Sequence, residues 1–108
     1  RKKAEKINKN KFSERISLKL IVEIYLTSYF KKEFKRLPKQ VRQKTEEKEK
    51  IFRNNPFSLI LNTHKLHGKY KDYWSFSVDN SYRIMFKFLN TAKTKAVFID
   101  VGTHKIYK

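Results

Sequence analysis

The three histidines and one arginine of this sequence are the side chains best suited to catalysis. His64 and His67 lie close together before a run of alternating apolar residues, and His104 follows that run. Histidine titrates near neutrality, so it can either take or give a proton. A guanidinium such as that of Arg83 can bind two phosphate oxygens at once. These residue types together predict acid–base chemistry at a phosphate.

Cleavage of RNA would use all of these groups. A base must take the proton of the 2′-hydroxyl, an acid must protonate the leaving 5′-oxygen, and cations must stabilise the charge on phosphorus. We expect the histidines to be the acid–base candidates and Arg83 to hold the phosphate. Other cations and aromatic rings could bind the substrate, the rings by stacking on unpaired bases; the candidates are Lys65, Lys69, Trp74 and Tyr107.

Other interpretations of the same residues stay open. A histidine near the end of a strand is more often structural or solvated, and Trp74 is more often a core residue than a platform for bases. His64, His67 and His104 could also suggest a zinc site. No cysteine and no dedicated acidic ligand accompany them, so we expect neither a metal nor another cofactor.

The charge of the chain favours a polyanionic partner. Its 108 residues hold 27 Lys and Arg against 10 Asp and Glu, a formal net charge of +17. This excess exceeds what solubility requires and makes nucleic acid the first candidate partner, although lysine-rich faces can also be merely solvated. The length predicts one small domain, and the absence of cysteine excludes disulfides. No apolar run is long enough to span a bilayer, so we expect a cytoplasmic protein without membrane contacts.

The first half of the chain predicts a strand and two helices. Residues 1–19 are polar and basic and are predicted to be an extension outside the folded domain. Residues 20–27 are rich in β-branched and aromatic residues, which is typical of a strand. Ser28 is predicted to cap a helix that ends before Pro38. A second helix then starts at Pro38, and its apolar stripe is Val41, Thr45, Lys48, Ile51 and Phe52.

The second half predicts three strands, at residues 73–78, 82–88 and 95–101. Their alternating patterns place Trp74, Phe76 and Val78 on one face of the first strand, and Val97, Ile99 and Val101 share a face of the last strand. Arg83 then points away from the helices. The predicted fold class is α+β: a strand, a two-helix hairpin and a three-stranded antiparallel meander, with the helices packed on one face of the sheet.

The sequence resembles the RelE/ParE superfamily of type II toxins, nearest to the RelE and YafQ-like mRNA endonucleases. The similarity covers residues 21–108 and rests on the order of the motifs FKKEFKRLPK, NP, HKLHG, YWSFSVDNSYRIMF and DVGTHKIYK. It implies a βααβββ toxin domain at residues 20–108 that associates with the ribosome. Such a domain cuts mRNA by attack of the 2′-hydroxyl, without a metal, and is silenced by a cognate antitoxin.

The resemblance also implies roles for four residues. His64 matches the histidine before the L-x-G motif, Arg83 the arginine that follows the aromatic residue of a strand, and His104 the histidine of the closing G-T-H. Tyr107 resembles an aromatic residue that orients the substrate.

Departures from the family pattern keep two alternatives open. Some YafQ-like proteins carry a histidine and an aspartate where this chain has Ser77 and Ser81, and we expect His67 to compensate. A ParE-like inhibitor of DNA gyrase, or an inactive RNA-binding homologue, would share the same fold.

Overall fold

Five strands and two helices form the part of the chain that the computed structural model describes, residues 20–107. The predicted extension, residues 1–19, lies outside the described residues. In chain order the elements are β1 (Glu23–Leu26), α1 (Ser28–Arg36), α2 (Lys39–Asn54), β2 (His64–Lys65), β3 (Trp74–Ser77), β4 (Arg83–Phe88) and β5 (Lys95–Gly102). Short 3₁₀ turns lie at Leu59–Leu61, Gly68–Tyr70 and His104–Tyr107. No helix within residues 20–107 is long and apolar enough to cross a membrane.

The strands form one mixed sheet in the order β1-β5-β4-β3-β2. β1 pairs with β5 in parallel, and the other neighbours are antiparallel. The predicted α+β class is confirmed, but the predicted number of strands is wrong. His64 and Lys65 form an additional edge strand where we expected a loop, because they pair with Ser75 and Trp74 of β3.

Local sequence signals determine where the two helices begin and end. Thr27, not the predicted Ser28, caps α1, since its hydroxyl accepts a hydrogen bond of 2.9 Å from the backbone N–H of Phe30. α1 ends before Pro38, as predicted, and α2 begins directly after it. The predicted apolar stripe of α2 faces the sheet, with Val41, Thr45 and Phe52 buried.

Phe52 is the centre of the core between the helices and the sheet. Its ring centroid lies 4.8 Å from that of Phe76, 4.9 Å from that of Phe86 and 5.3 Å from that of Phe98, and all four side chains are almost fully buried. Such close aromatic packing fixes the helix layer on this face of the sheet. The opposite face of β3 and β4 carries the candidate site.

A bulge in β5 overturns the prediction that Val97, Ile99 and Val101 share one face. Phe98 pairs with Phe86 and Asp100 pairs with Met85, so Ile99 is an extra residue in the ladder. The extra residue shifts the alternation, and the core side of β5 consists of Ala96, Phe98 and Val101. The open face therefore receives Asp100 and Gly102 at the end of β5.

Candidate functional site

The strand register brings predicted site residues together on the open face of the sheet, opposite Phe52. Residues paired across strands point to the same face. His64 pairs with Ser75, and Ser77 pairs with Arg83, which in turn pairs with Gly102. His64 and Arg83 therefore lie on the same face, two strands apart, and the prediction that Arg83 points away from the helices is confirmed.

The C-terminal 3₁₀ turn, His104–Tyr107, folds back over this face. A Cβ atom at Gly102 would lie 2.8 Å from Cγ2 of Ile106, so only glycine allows the turn to approach the strand this closely. The hydroxyl of Tyr107 lies 2.5 Å from the hydroxyl of Ser75. The guanidinium carbon of Arg83 is 5.9 Å from the centre of the Tyr107 ring. Tyr107 therefore contacts both Ser75 of β3 and Arg83 of β4 on the open face.

No carboxylate within residues 20–107 pairs with Arg83. Its Nε atom is buried and makes no hydrogen bond within residues 20–107, and none of the ion pairs in that part of the chain includes Arg83. A buried donor without a partner is costly, and an anion that accepts from the guanidinium would remove that cost.

Arg83 also forms part of the wall of an open cavity of 470 Å³, here called the polar cavity. Its polar lining consists of Lys48, Asn62, Ser77, Asp79, Asn80 and Arg83. Ser77 and Arg83 belong to the open face of the sheet. The polar cavity therefore lies at the end of this face, beside the β3–β4 turn.

The backbone of Asn62 fixes the orientation of His64. Nδ1 of His64 lies 2.9 Å from the carbonyl oxygen of Asn62. A carbonyl oxygen can only accept, so Nδ1 carries the hydrogen and Nε2 of the neutral ring keeps its lone pair. His64 is exposed at the sheet edge. Its Nε2 can therefore take a proton from a substrate bound on the open face.

His67 and Lys69 lie next to Tyr107 on the other side of the site. Together with Leu66, Tyr70 and Tyr107 they line a second cavity of 290 Å³, here called the aromatic cavity. Nζ of Lys69 is 5.2 Å from the centre of the Tyr70 ring. This cavity combines two tyrosine rings with cationic and imidazole groups, a composition that suits stacked bases.

His104 occupies the first position of the C-terminal turn and is exposed. Residues three apart in a 3₁₀ turn lie above one another, so His104 stands one turn before Tyr107. The turn that orients Tyr107 over Arg83 therefore also sets the position of His104.

Two predicted substrate-binding residues lie on the other face of the sheet. Lys65 pairs with Trp74, which itself pairs with Phe86 of the core. The ring centroid of Trp74 lies 5.5 Å from the ring centroid of Phe57 and 5.5 Å from that of Phe88. Lys65 does not lie on the face that carries His64 and Arg83, because neighbouring residues of a strand point to opposite faces.

Three further residues belong to the site that were not predicted from the sequence: Ser75, Asn62 and Gly102. Ser75 had the signal of an outward position in an alternating strand, whereas nothing in the sequence connected Asn62 with His64.

Within residues 20–107, no three histidine or carboxylate side chains come together in an arrangement that could hold a metal ion.

Comparison with known proteins identifies the fold. No protein-family profile and no curated protein sequence matches the chain. Among solved structures, YafQ from Escherichia coli BL21(DE3) is similar, with a TM-score of 0.63 and 22% identity over 78% of this chain and 94% of YafQ. A YoeB/ParE toxin from Agrobacterium tumefaciens gives a TM-score of 0.65 with 15% identity over 77% of this chain and 99% of the toxin.

A toxin–antitoxin complex, RelBE2 of Mycobacterium tuberculosis, is also similar. Its matching chain gives a TM-score of 0.63 with 15% identity over 75% of this chain and 95% of that one. Nearly the full length of each of these three neighbours, from three bacteria, therefore matches the structure of this chain. The chain therefore shares its fold with YafQ, with the YoeB/ParE toxin and with the matching chain of RelBE2.

Proposed function

We propose that this chain is the toxin of a type II toxin–antitoxin pair and cleaves mRNA on the ribosome in the cytoplasm. The observation that carries the proposal is the guanidinium of Arg83, whose buried Nε makes no hydrogen bond in the described part of the chain and which lies against Tyr107 on the same sheet face as His64. A phosphodiester bound there would meet a cation, an imidazole and an aromatic ring. RNA cleavage needs a group that transfers protons and a cation that stabilises the charge on phosphorus, whereas a protein that only binds needs no acid–base group.

The proposed reaction is attack of a 2′-hydroxyl on the adjacent phosphorus. Nε2 of His64 takes the hydroxyl proton while the 2′-oxygen forms its bond to phosphorus. Arg83 donates hydrogen bonds to the non-bridging oxygens as their charge increases. The bond from phosphorus to the 5′-oxygen breaks, and His104 gives that oxygen a proton. The products are a 2′,3′-cyclic phosphate and a 5′-hydroxyl, and the histidines end with their protonation states exchanged.

His67 and Lys69 have supporting roles in this proposal. Both line the aromatic cavity with Tyr107 and can contact the nucleotide next to the cleaved bond. Lys65 and Trp74 lie on the opposite face and are given no role in the reaction. The chemistry proposed for the histidines and Arg83 requires no metal and no other cofactor.

The charge of the chain supports a ribosomal setting and an antitoxin partner. A net charge of +17 favours binding to ribosomal RNA. Structural neighbours occur in complexes with antitoxins, including the DinJ–YafQ toxin–antitoxin complex of Escherichia coli. We infer that the antitoxin of this chain is an acidic or amphipathic segment that covers the basic face of the protein, so its affinity should fall as salt rises.

The test is cleavage of an mRNA during translation by purified ribosomes, followed by primer extension. The parent protein should produce defined breaks, and Arg83→Ala, His64→Gln and His104→Gln should each reduce them by about 100-fold or more, as expected for loss of acid–base or charge stabilisation. Arg36→Ala is the matched control, because Arg36 is exposed on α1 and pairs with Glu33. Equal cleavage by the parent and all three site variants would contradict the assignments.

Inhibition of DNA gyrase is the second candidate, because a YoeB/ParE toxin is among the structural neighbours. A supercoiling assay with the same protein separates the two functions. Loss of supercoiling together with intact mRNA would overturn the nuclease proposal. An absence of both activities with ribosomes and gyrase present would instead favour an inactive RNA-binding homologue.

A further inference from the structure

Apart from Arg83, the residues that line the polar cavity are not needed for the chemistry of the proposed cleavage. We propose that this cavity is a subsite for one base of single-stranded RNA, next to the cleaved phosphate, and that Asn80 and Ser77 determine which base is preferred. This inference rests on the proposed function for the identity of the substrate, and it adds where and how the substrate sequence is recognised.

The charged groups of the cavity other than Arg83 are already engaged. Nζ of Lys48 donates to the carbonyl oxygen of Val78 at 3.0 Å. One carboxylate oxygen of Asp79 accepts from the backbone N–H groups of Ser81 and Tyr82, at 2.8 and 2.7 Å, and the other lies 3.6 Å from Nζ of Lys44. These contacts hold the β3–β4 turn in place. Lys48 and Asp79 therefore build the cavity wall.

The neutral polar groups of the cavity are free. Within residues 20–107, the side chains of Asn62, Asn80 and Ser77 make no hydrogen bond to another part of the protein. A side-chain amide presents a donor and an acceptor side by side, which matches the edge of a base. A second phosphate would favour cations, and of the two cations that line this cavity in the described part of the chain, Lys48 already donates to the carbonyl oxygen of Val78.

The size and position of the cavity suit a base. Its volume of 470 Å³ falls within the range of small-ligand pockets, roughly 300 to 1,000 Å³. Ile60, which is 64% exposed, adds an apolar surface against which a ring can lie. Arg83 belongs to the cavity wall and also contacts Tyr107 of the aromatic cavity.

The two cavities thus lie on either side of the Arg83–Tyr107 contact. An RNA strand that crosses this contact would place its phosphate at Arg83 and one neighbouring base in each cavity. Stacking on tyrosine tolerates any base, whereas hydrogen bonds to amides do not. We therefore assign the sequence preference to the polar cavity and sequence-independent binding to the aromatic cavity.

The test measures binding without cleavage. The probes are 2′-O-methyl hexanucleotides of A, C and U, which cannot react because their 2′-oxygen carries no proton, and affinity is measured by fluorescence anisotropy at low salt with the full chain. The parent should prefer one hexamer. In Asn80→Ala and Ser77→Ala this preference should fall by roughly 5- to 150-fold, the discrimination expected from lost hydrogen bonds to a base edge. Asn80 is exposed in a turn, so the variant should fold.

The matched control is Asn54→Ala, at the exposed end of α2, which should keep the preference of the parent. Equal affinity of the parent for all three hexamers would overturn the subsite, as would a preference that both variants retain, even if the protein cleaves mRNA. A preference that disappears in the variants supports the subsite, even if mRNA stays intact during translation. The outcomes therefore separate a failure of this inference from a failure of the proposed nuclease function.

Discussion

The hydroxyl of Tyr107 and the hydroxyl of Ser75 lie 2.5 Å apart, although 32 residues separate them in the chain. Ser75 is almost fully buried in the middle of β3, and Tyr107 ends the C-terminal 3₁₀ turn. This contact holds the turn on the open face, where the Tyr107 ring meets Arg83. A single hydrogen bond therefore connects the stability of the C-terminal turn with the geometry of the candidate site.

We expect Tyr107→Phe to lower both stability and mRNA cleavage. The substitution leaves the buried Ser75 hydroxyl without its partner, which costs about 1 to 3 kcal/mol of the free energy of unfolding. The ring can then leave Arg83, so cleavage should fall by about 10-fold or more. Urea unfolding and primer extension measure the two effects.

The double variant Ser75→Ala with Tyr107→Phe separates the two effects. Removal of both hydroxyls eliminates the unpaired group, so stability should return close to that of the parent while cleavage stays low. Tyr25→Phe is the control, because the hydroxyl of Tyr25 bonds to Glu23 at an exposed position. Full activity of Tyr107→Phe would show that the contact does not position the site.

Gly102→Ala should displace the C-terminal turn without unfolding the sheet. The new Cβ would lie 2.8 Å from Cγ2 of Ile106, a distance that two carbon atoms do not tolerate. The turn carries His104 and Tyr107, so we expect cleavage to fall by about 10-fold or more. Near-ultraviolet circular dichroism of the tyrosines should report the displacement.

A second substitution can relieve this clash. Ile106→Ala removes Cγ2, so the double variant Gly102→Ala with Ile106→Ala should recover part of the lost activity. Ile106→Ala alone provides the baseline for this comparison. A double variant less active than Gly102→Ala would contradict steric displacement as the cause.

The sequence predicted the helices and the inward positions of β3 and β4 because their signals are local. Pro38 separates the two helices, and alternation placed Phe76 and Val78 on one face, where both are fully buried in the core. The same alternation placed Arg83 on the open face. Of the three residues proposed for the reaction, Arg83, His64 and His104, the pattern alone therefore oriented Arg83.

Other features depend on contacts that leave no periodic signal. The strand β2 has only two residues, and it exists because β3 offers a free edge. The bulge at Ile99 moved the core side of β5 by one position, which a strict alternation cannot reveal. The Ser75–Tyr107 contact and the bond from His64 to Asn62 are set by tertiary structure and by a backbone carbonyl.

Asp100→Asn should stabilise the protein at neutral pH. Burial raises the pKa of the Asp100 carboxyl above its ordinary value of 3.8, and the charge of Glu33 adds to the effect, although the N–H of Val101 opposes it. A raised pKa in the folded state means that stability decreases as pH rises from 3.8 through the pKa of the folded protein. Asparagine carries no charge and can still accept from Val101.

Thermal unfolding between pH 3 and pH 7 would check this prediction. The variant and the parent should have similar stability at the acid end of the range, and the variant should be the more stable one at neutral pH. Glu47→Gln, at an exposed position of α2, is the control for the loss of one negative charge. A lower melting temperature of Asp100→Asn at pH 7 would contradict the prediction.

Asp79→Asn should have the opposite effect. Burial by itself raises the pKa of the Asp79 carboxyl, but the N–H groups of Tyr82 and Ser81 and the charge of Lys44 outweigh it, so the pKa lies below 3.8. The resulting stabilisation is present above pH 3.8 and is lost as pH falls through the lowered pKa. Asparagine can accept the same two backbone bonds but lacks the charge that strengthens them.

Asp79→Asn should therefore be less stable than the parent at pH 7, and the difference should shrink as the pH is lowered toward 2. Asp72→Asn, an exposed aspartate before β3, is the control for a change in net charge. Because Asp79 also lines the polar cavity, the hexanucleotide assay provides a second measurement. A variant that unfolds at the same temperature as the parent across this pH range would show that the charge of Asp79 does not hold the β3–β4 turn.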